Sequence, residues 1–312
     1  MAYEAFDRKG LRTVAAFVRF GASRFAEAGL CFAHGTDNAV DEALVLVLHA
    51  LHLPVRPPLP AGLFHARRPR RERVEAEALL RRRIDERVPA PYLTGEAWFA
   101  GLRFEVDPRV LVPRSPLAEL IEGGFQPWID GSSVRRVLDL GTGSGCIAVA
   151  CACAFPEATV DAVDSAAAAL EVARRNAELH ELDDRVRVLE SDLFEGLAGA
   201  PDREEGGAAG GRYDLIVSNP PYVPDEEMAE LAPEFRAEPV SALEGGADGL
   251  DVVSRILAEA PRRLVPDGAL VVEIGASPIV RAALESRFDL PFVWLEPQRG
   301  GEGGFLLHAH DF

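Results

Sequence analysis

Several things this chain lacks narrow the field before any motif is read. None of its apolar runs reaches the roughly 20 residues that span a bilayer, and the charged stretch Met1–Gly10 has no signal-peptide pattern. A soluble, cytoplasmic protein that makes no use of a membrane is expected. Cysteine is scarce: Cys31, Cys146, Cys151 and Cys153 form no Cys-x-x-Cys pair. The last three stand among Ala and Ile on a presumptive helix, and they read as buried thiols packing as small hydrophobes rather than as disulfides or zinc ligands. Histidine is scattered, its seven copies at no metal-ligand spacing, so no metal is expected. Internal repeats are missing too.

What is present is a chain of 312 residues, 48% of them hydrophobic, enough to bury a large domain and a smaller one. The net charge of −17 is unevenly spread. Residues 1–100 hold 15 Lys and Arg against 12 Asp and Glu, whereas the remainder holds 18 against 38. An acidic body disfavours nonspecific duplex binding, which depends on neutralising phosphates, and favours encounter with a basic partner. Solubility alone accounts for the charge equally well.

Apolar residues recur at helical spacing over 11–29 (Leu11, Val14, Phe17, Val18, Phe25) and 38–53 (Val40, Leu44, Val47, Leu48, Leu51). A proline-rich connector, Pro54–Pro60, leads to a third helix over about 70–88. With Arg67, Arg68, Arg70, Arg71, Arg73, Arg81, Arg82, Arg83 and Arg87 in and just ahead of it, this helix reads as a solvated charged face, or else as a contact for RNA or an acidic surface. Residues 1–90 thus form a small helical domain. Over 91–130, Leu102–Val106 and Val110–Val112 flank the turn former Asp107-Pro108 and predict a hairpin, followed by a linker helix with Ser115 as N-cap and Pro116 at its first position.

From Gly131 to the end, strand and helix alternate. Strands are expected at 134–140, 159–163, 186–189, 213–218 and 269–274, and helices at 146–154, 166–179, 250–264 and 278–288. The alternation implies a parallel α/β sheet, doubly wound, with helices on both faces. Strands near 292–295 and 305–309 are too close for a helical crossover and should pair antiparallel. The Gly-, Ala- and charge-rich stretch 196–212 reads as a mobile loop or insertion.

Two motifs carry chemistry. Gly141-Thr142-Gly143-Ser144-Gly145 joins the first strand of this region to its first helix, and alternate glycines let the backbone turn sharply beside a ligand. The same loop could bind a dinucleotide, but its spacing is Gly-x-Gly-x-Gly rather than Gly-x-Gly-x-x-Gly and no phosphate-binding Lys follows. Asn219-Pro220-Pro221-Tyr222 ends the strand at 213–218. Two prolines stiffen that corner, leaving the Asn219 amide and the Pro220 carbonyl to accept from an NH2 group while the Tyr222 ring packs on the face of a planar substrate. A plain turn uses the same residue types. Asp164 and Asp192-Leu193 close two further strands, positions suited to ribose hydroxyls and to an adenine beside an apolar wall. Four strand ends thus present ligand-type groups along one edge, which points to a nucleoside cofactor.

Taken together, Leu138–Gly145, Asp164, Asp192 and Asn219–Tyr222 resemble the class I S-adenosylmethionine-dependent methyltransferases that act on exocyclic or amide nitrogens. Pro91-Tyr92-Leu93-Thr94-Gly95, the 98–114 hairpin, Glu238-Pro239 and the 300–307 tail extend the likeness to the protein N5-glutamine methyltransferases. Val112-Pro113-Arg114-Ser115-Pro116-Leu117 resembles the branch acting on the third large-subunit ribosomal protein; the release-factor branch usually carries Arg-Pro-Glu-Thr there. Ser165 after Asp164 and the long 196–212 loop depart from the family pattern.

The resemblance implies a seven-stranded sheet with its last strands antiparallel, and a helical substrate-recognition domain ahead of it. It implies S-adenosylmethionine on Gly141–Gly145, Asp164, Asp192, Leu193 and Asn219. The substrate would be a glutamine of a basic ribosomal protein, held by Asn219, Pro220, Pro221, Tyr222 and Arg114, with catalysis by Asn219, Pro220 and Tyr222 through positioning and fixed dipoles. Two other readings stay open beside the release-factor one. A DNA amino-methyltransferase would need to flip a base and grip phosphates, against which the acidic body argues. A non-catalytic nucleoside-binding module would not need the rigid Asn-Pro-Pro corner.

Overall fold

The computed structural model describes residues 11–55, 61–66, 70–197, 211–296 and 303–312. The chain divides into two compact units: Met1–Glu96 with Ala232–Ala237, and Ala97–Leu231 with Glu238–Phe312.

The first unit packs α1 (Val14–Glu27), α2 (Ala39–His49), α3 (Arg70–Asp85) and α4 (Ala90–Thr94) around Phe17, Phe25, Leu46, Val47 and Leu80. Local sequence sets the helix starts. The Thr13 hydroxyl accepts from the Ala16 N–H at 3.2 Å, and Asn38 Oδ1 accepts from Val40 and Asp41 N–H groups at 3.0 Å. Two expectations need correction here. Val40, assigned above to the apolar face of α2, is exposed, because it occupies the first turn beside the cap. Arg83, assigned to a solvated face, is wholly buried: it pairs with Glu42 and, at 3.2 Å, with Glu234, and donates to the Cys31 carbonyl at 2.7 Å. A charge so deep is retained only with opposite charges around it, and this one holds the helices and the 232–237 segment together.

The second unit begins with a hairpin, β1 (Glu96–Phe99) and β2 (Leu102–Glu105), turning at Ala100-Gly101. The expected hairpin around Asp107-Pro108 is therefore displaced. That dipeptide does turn, with Val110 N–H donating to the Asp107 carbonyl at 3.1 Å, but residues 110–112 pair with no strand among the described residues. Left-handed φ values of +47° at Ala100 and +75° at Gly101 are what bend the hairpin. Next comes α5 (Leu117–Glu122), one residue later than expected. The Ser115 hydroxyl still accepts from the Leu117 N–H at 3.1 Å, while Pro116 takes the capping position.

The remaining elements are β3 (Arg136–Leu140), α6 (Cys146–Ala154), β4 (Thr159–Asp164), α7 (Ala167–Leu179), β5 (Val186–Glu190), β6 (Tyr213–Ser218), α8 (Asp225–Met228), α9 (Asp251–Arg263), β7 (Leu264–Glu273), α10 (Pro278–Arg287), β8 (Val293–Leu295) and β9 (Gly304–His308). The seven strands run β5-β4-β3-β6-β7-β9-β8. The first five are parallel; β9 is antiparallel to both β7 and β8, inserted between them. Period-2 alternation divides the core. Val137, Leu215, Val217 and Val271 face α5 and α6, whereas Leu138, Ile216, Leu270 and Val272 face α9 and α10. This is a class I methyltransferase-type sheet.

Helix α6 is apolar all round and buried along most of its length, as its composition requires. Cys146 and Cys151 are buried there, but Cys153 is exposed, because its position turns it away from the sheet. Most of the 196–212 loop, part of the 54–60 connector, Arg67, Arg68 and residues 297–302 lie outside the described residues.

Candidate active site

Strand order reverses beside β3: the chain passes outward to β4 and β5, then returns to place β6 on the other flank. The gap left between crossovers at such a switch point is where a doubly wound sheet takes its ligand. A cavity of about 310 Å³ lies there, lined from four strand ends, from 109–115, and from Pro239, Ser241, Ala242, Val252 and Arg255.

The floor is the glycine loop. Gly141 and Gly143 adopt φ of +71° and +54°, and open space lies where a Cβ would point, so the main chain itself is presented. The loop is pinned from behind. Thr142 N–H donates to the Val163 carbonyl at 2.8 Å, and the Thr142 hydroxyl to Asp139 Oδ2 at 2.6 Å. Gly145 serves another purpose: a Cβ there would meet Ala173 Cα at 3.2 Å, so this glycine lets α6 start against α7.

Asp164 accepts from the Gly143 N–H (Oδ2, 2.9 Å) and the Ala166 N–H (Oδ1, 2.9 Å), which fixes its carboxylate at the rim. Asp192 pairs with Arg255 at 2.9 Å. Leu193 beside it is held at φ +51° by the surrounding turn, where the Ser191 hydroxyl donates to its carbonyl at 2.6 Å. These groups fit S-adenosylmethionine: exposed loop backbone, an oriented carboxylate for a diol, and an apolar wall.

Asn219 stands at the end of β6, and its side-chain amide takes no part in the hydrogen bonds among the described residues. The corner that carries it is braced by the 243–249 segment. Val223 N–H donates to the Leu243 carbonyl at 2.9 Å, and Gly245 N–H to the Val223 carbonyl at 2.8 Å. Side chains at Gly245 or Gly249 would meet the Tyr222 main chain at 2.7 and 2.4 Å.

Opposite, Arg114 lines the cavity with its guanidinium forked onto buried Glu238 at 2.6 and 2.9 Å. Burial works to lower the Arg114 pKa, but the Glu238 bonds and charge prevail and hold it above the ordinary value. Glu238 Oε1 also accepts from the Val112 N–H at 3.0 Å, so one carboxylate fixes both Arg114 and the wall it belongs to.

The family is now decided by comparison. A family model described as "Methyltransferase small domain" matches residues 128–290. A protein of Xanthomonas campestris pv. campestris named ribosomal protein uL3 glutamine methyltransferase is 49% identical over 302 residues, covering 96% of this chain and 92% of that one. Its namesake in Bordetella pertussis is 48% identical over 303 residues, covering 96% of each. The chain belongs to the uL3 glutamine methyltransferase family. A third member, from Neisseria meningitidis serogroup B, is 48% identical over 95% of this chain and 93% of its own.

As a member of that family the chain is an S-adenosylmethionine-dependent methyltransferase. Of the positions singled out in the sequence, Gly141, Thr142, Gly143, Ser144, Asp164, Asp192, Leu193, Arg114, Asn219, Pro220 and Pro221 all line the one cavity. Gly145 and Tyr222 do not: the first packs helix on helix, and the second turns its hydroxyl to Glu273 Oε1 at 3.0 Å.

Sequence reasoning missed several supports. Asn176, buried on α7, donates to the carbonyls of Glu105 (2.9 Å) and Ser144 (2.8 Å) and accepts from the Glu105 N–H (2.8 Å), tying hairpin to glycine loop. Its signal was a polar residue on the apolar face of a helix. Asp139 lies buried beneath the loop with Oδ1 unpartnered among the described residues. Burial pushes its pKa up to about 7; the Thr142 hydroxyl and Ala148 N–H bonds pull it down, and Asp164 adds to the rise. Arg255 and Glu273 gave no signal, since each meets its partner only across the fold.

Proposed function

We propose that this enzyme methylates the side-chain amide nitrogen of a glutamine in ribosomal protein uL3, in the cytoplasm, with Asn219 and the Pro220 carbonyl as the groups that grip the amide. The observation that carries the reading is the Asn219 amide, free among the described residues, on a proline-stiffened and glycine-braced corner of the cavity. An amide nitrogen is a weak nucleophile because its lone pair is shared with the carbonyl. Accepting both of its hydrogens orients it and favours localisation of that pair, so positioning and preorganised dipoles supply the rate. S-adenosylmethionine supplies a sulfonium methyl there. The proton lost on transfer passes to water, and no side-chain base is required.

The acidic body favours a basic substrate such as a ribosomal protein. Contact with ribosomal RNA through α3 gains little. Arg83 is buried, and Arg71, Arg81 and Arg82 pair with Glu75, Glu77 and Glu86 on their own helix. The helical unit is assigned instead to recognition of the protein substrate.

The test is labelled methyl transfer into purified uL3 and peptide release factors side by side, with the product glutamine mapped. Label in uL3 and not in release factors is expected; the reverse moves the enzyme to the release-factor substrate. Asn219→Ala should retain cofactor binding by calorimetry and lose on the order of a hundredfold in kcat. Wild-type turnover by that variant overturns the role of the corner.

A further inference from the structure

The geometry points to Glu273 as a positioning residue that sets the width of the reacting corner. The inference rests on the reading of Asn219-Pro220 as the amide-gripping pair. Glu273 is the last residue of β7, and the pairing of Ser218 with Val272 brings it level with Asn219 on the adjacent strand. It is 3% exposed and does not line the cavity. On its other side Glu273 pairs with Gly304, where a Cβ would come within 2.5 Å of the Val272 carbonyl oxygen, so β9 presses close and leaves the carboxylate little freedom.

Both carboxylate oxygens are engaged by hydroxyls from opposite walls. Oε1 accepts from the Tyr222 phenol at 3.0 Å, and Oε2 accepts from the Ser115 hydroxyl, itself fixed by the Leu117 N–H. Tyr222 continues the Asn219-Pro220-Pro221 corner; Ser115 ends the 109–115 wall, next to the Arg114–Glu238 fork. One buried side chain on the sheet therefore bolts together the two walls between which an amide must lie. Charge-assisted bonds in a buried site are strong and costly to break, so the spacing is held stiffly. Such a role gives the Tyr222 hydroxyl its use: it is an anchor.

A positioning group acts on the reacting geometry and leaves cofactor affinity alone. Misplacement of a bound nitrogen by a fraction of an ångström costs turnover because the near-attack arrangement is lost. Glu273→Gln keeps the volume and one carbonyl oxygen, so it preserves the fold while weakening the clamp; Tyr222→Phe removes one bond without touching the sheet.

The experiment measures kcat, KM for S-adenosylmethionine and calorimetric cofactor affinity for E273Q, Y222F, the double variant and N219A. Each single variant should lose about tenfold in kcat with cofactor KM and affinity within about twofold of wild type. The double variant should be no slower than the worse single one, because Y222F removes a bond that E273Q has already weakened. Wild-type kcat in E273Q and Y222F, or losses that multiply in the double variant, overturns the proposal. If N219A is inactive while E273Q and Y222F are fully active, the corner stands and the clamp falls. If N219A itself turns over as wild type, both fall.

Discussion

Asp139→Asn isolates the electrostatic strain beneath the glycine loop. The Asp139 carboxyl is fully buried, with Oδ2 taking the Thr142 hydroxyl and the Ala148 N–H, the latter at 3.1 Å, while Oδ1 has no partner among the described residues. Burial lifts its pKa from 3.8 to about 7. The folded state therefore keeps a proton that the unfolded chain releases near pH 4, and between those values stability falls as pH rises. The slope approaches about 1.4 kcal/mol per pH unit and the full loss is at most about 4 kcal/mol, complete above about pH 8.

Asparagine preserves the shape, offers a carbonyl oxygen to the same two donors and cannot ionise. Its NH2 adds an offset that does not vary with pH. The stability of wild type minus that of D139N should thus decline by about 2 to 3 kcal/mol from pH 5 to pH 7 and level off beyond. Urea unfolding followed by tryptophan emission reads this unit alone, because Trp98, Trp128 and Trp294 all lie within it. A gap constant to about 0.5 kcal/mol across that range would refute a proton held by Asp139.

Three further outcomes are expected. Asp164→Ala removes the oriented carboxylate at the rim, so calorimetric affinity for S-adenosylmethionine should fall by more than about tenfold, or about 1.4 kcal/mol; unchanged affinity would remove Asp164 from the cofactor site. Gly249→Ala places a Cβ 2.4 Å from the Tyr222 carbonyl oxygen at a φ of +77°; kcat should drop at least about tenfold with cofactor affinity retained, and wild-type kcat would show that the corner needs no bracing there. Arg83→Ala leaves buried Glu42 without its cation and Glu234 with only the partly exposed Arg87, so the helical unit should lose about 3 to 5 kcal/mol by far-ultraviolet dichroism, whereas a loss below about 1 kcal/mol would deny Arg83 a structural role.

Much of this molecule was legible in the residues alone because the signals are local. Strand β6 at Tyr213–Ser218 and helix α6 at Cys146–Ala154 begin and end where apolar runs meet Gly or Pro, punctuation that acts within a few residues. Glycines at 141 and 143, acids at strand ends and a Pro-Pro corner after Asn219 announce the cavity, since a doubly wound sheet delivers successive strand ends to one edge whatever lies between them. Tertiary structure alone decided what reaches across that frame. Arg83 looked solvated because its helix is rich in exposed arginines; only the packing of α2 and the 232–237 segment supplies Glu42 and Glu234, which make its burial affordable. Tyr222 looked like a substrate platform because it follows Asn-Pro-Pro; only the register of β6 against β7 puts Glu273 within 3.0 Å of its hydroxyl. A buried polar group is satisfied by whichever partner the fold brings to it, and for these residues that partner is 41 to 151 positions away in sequence.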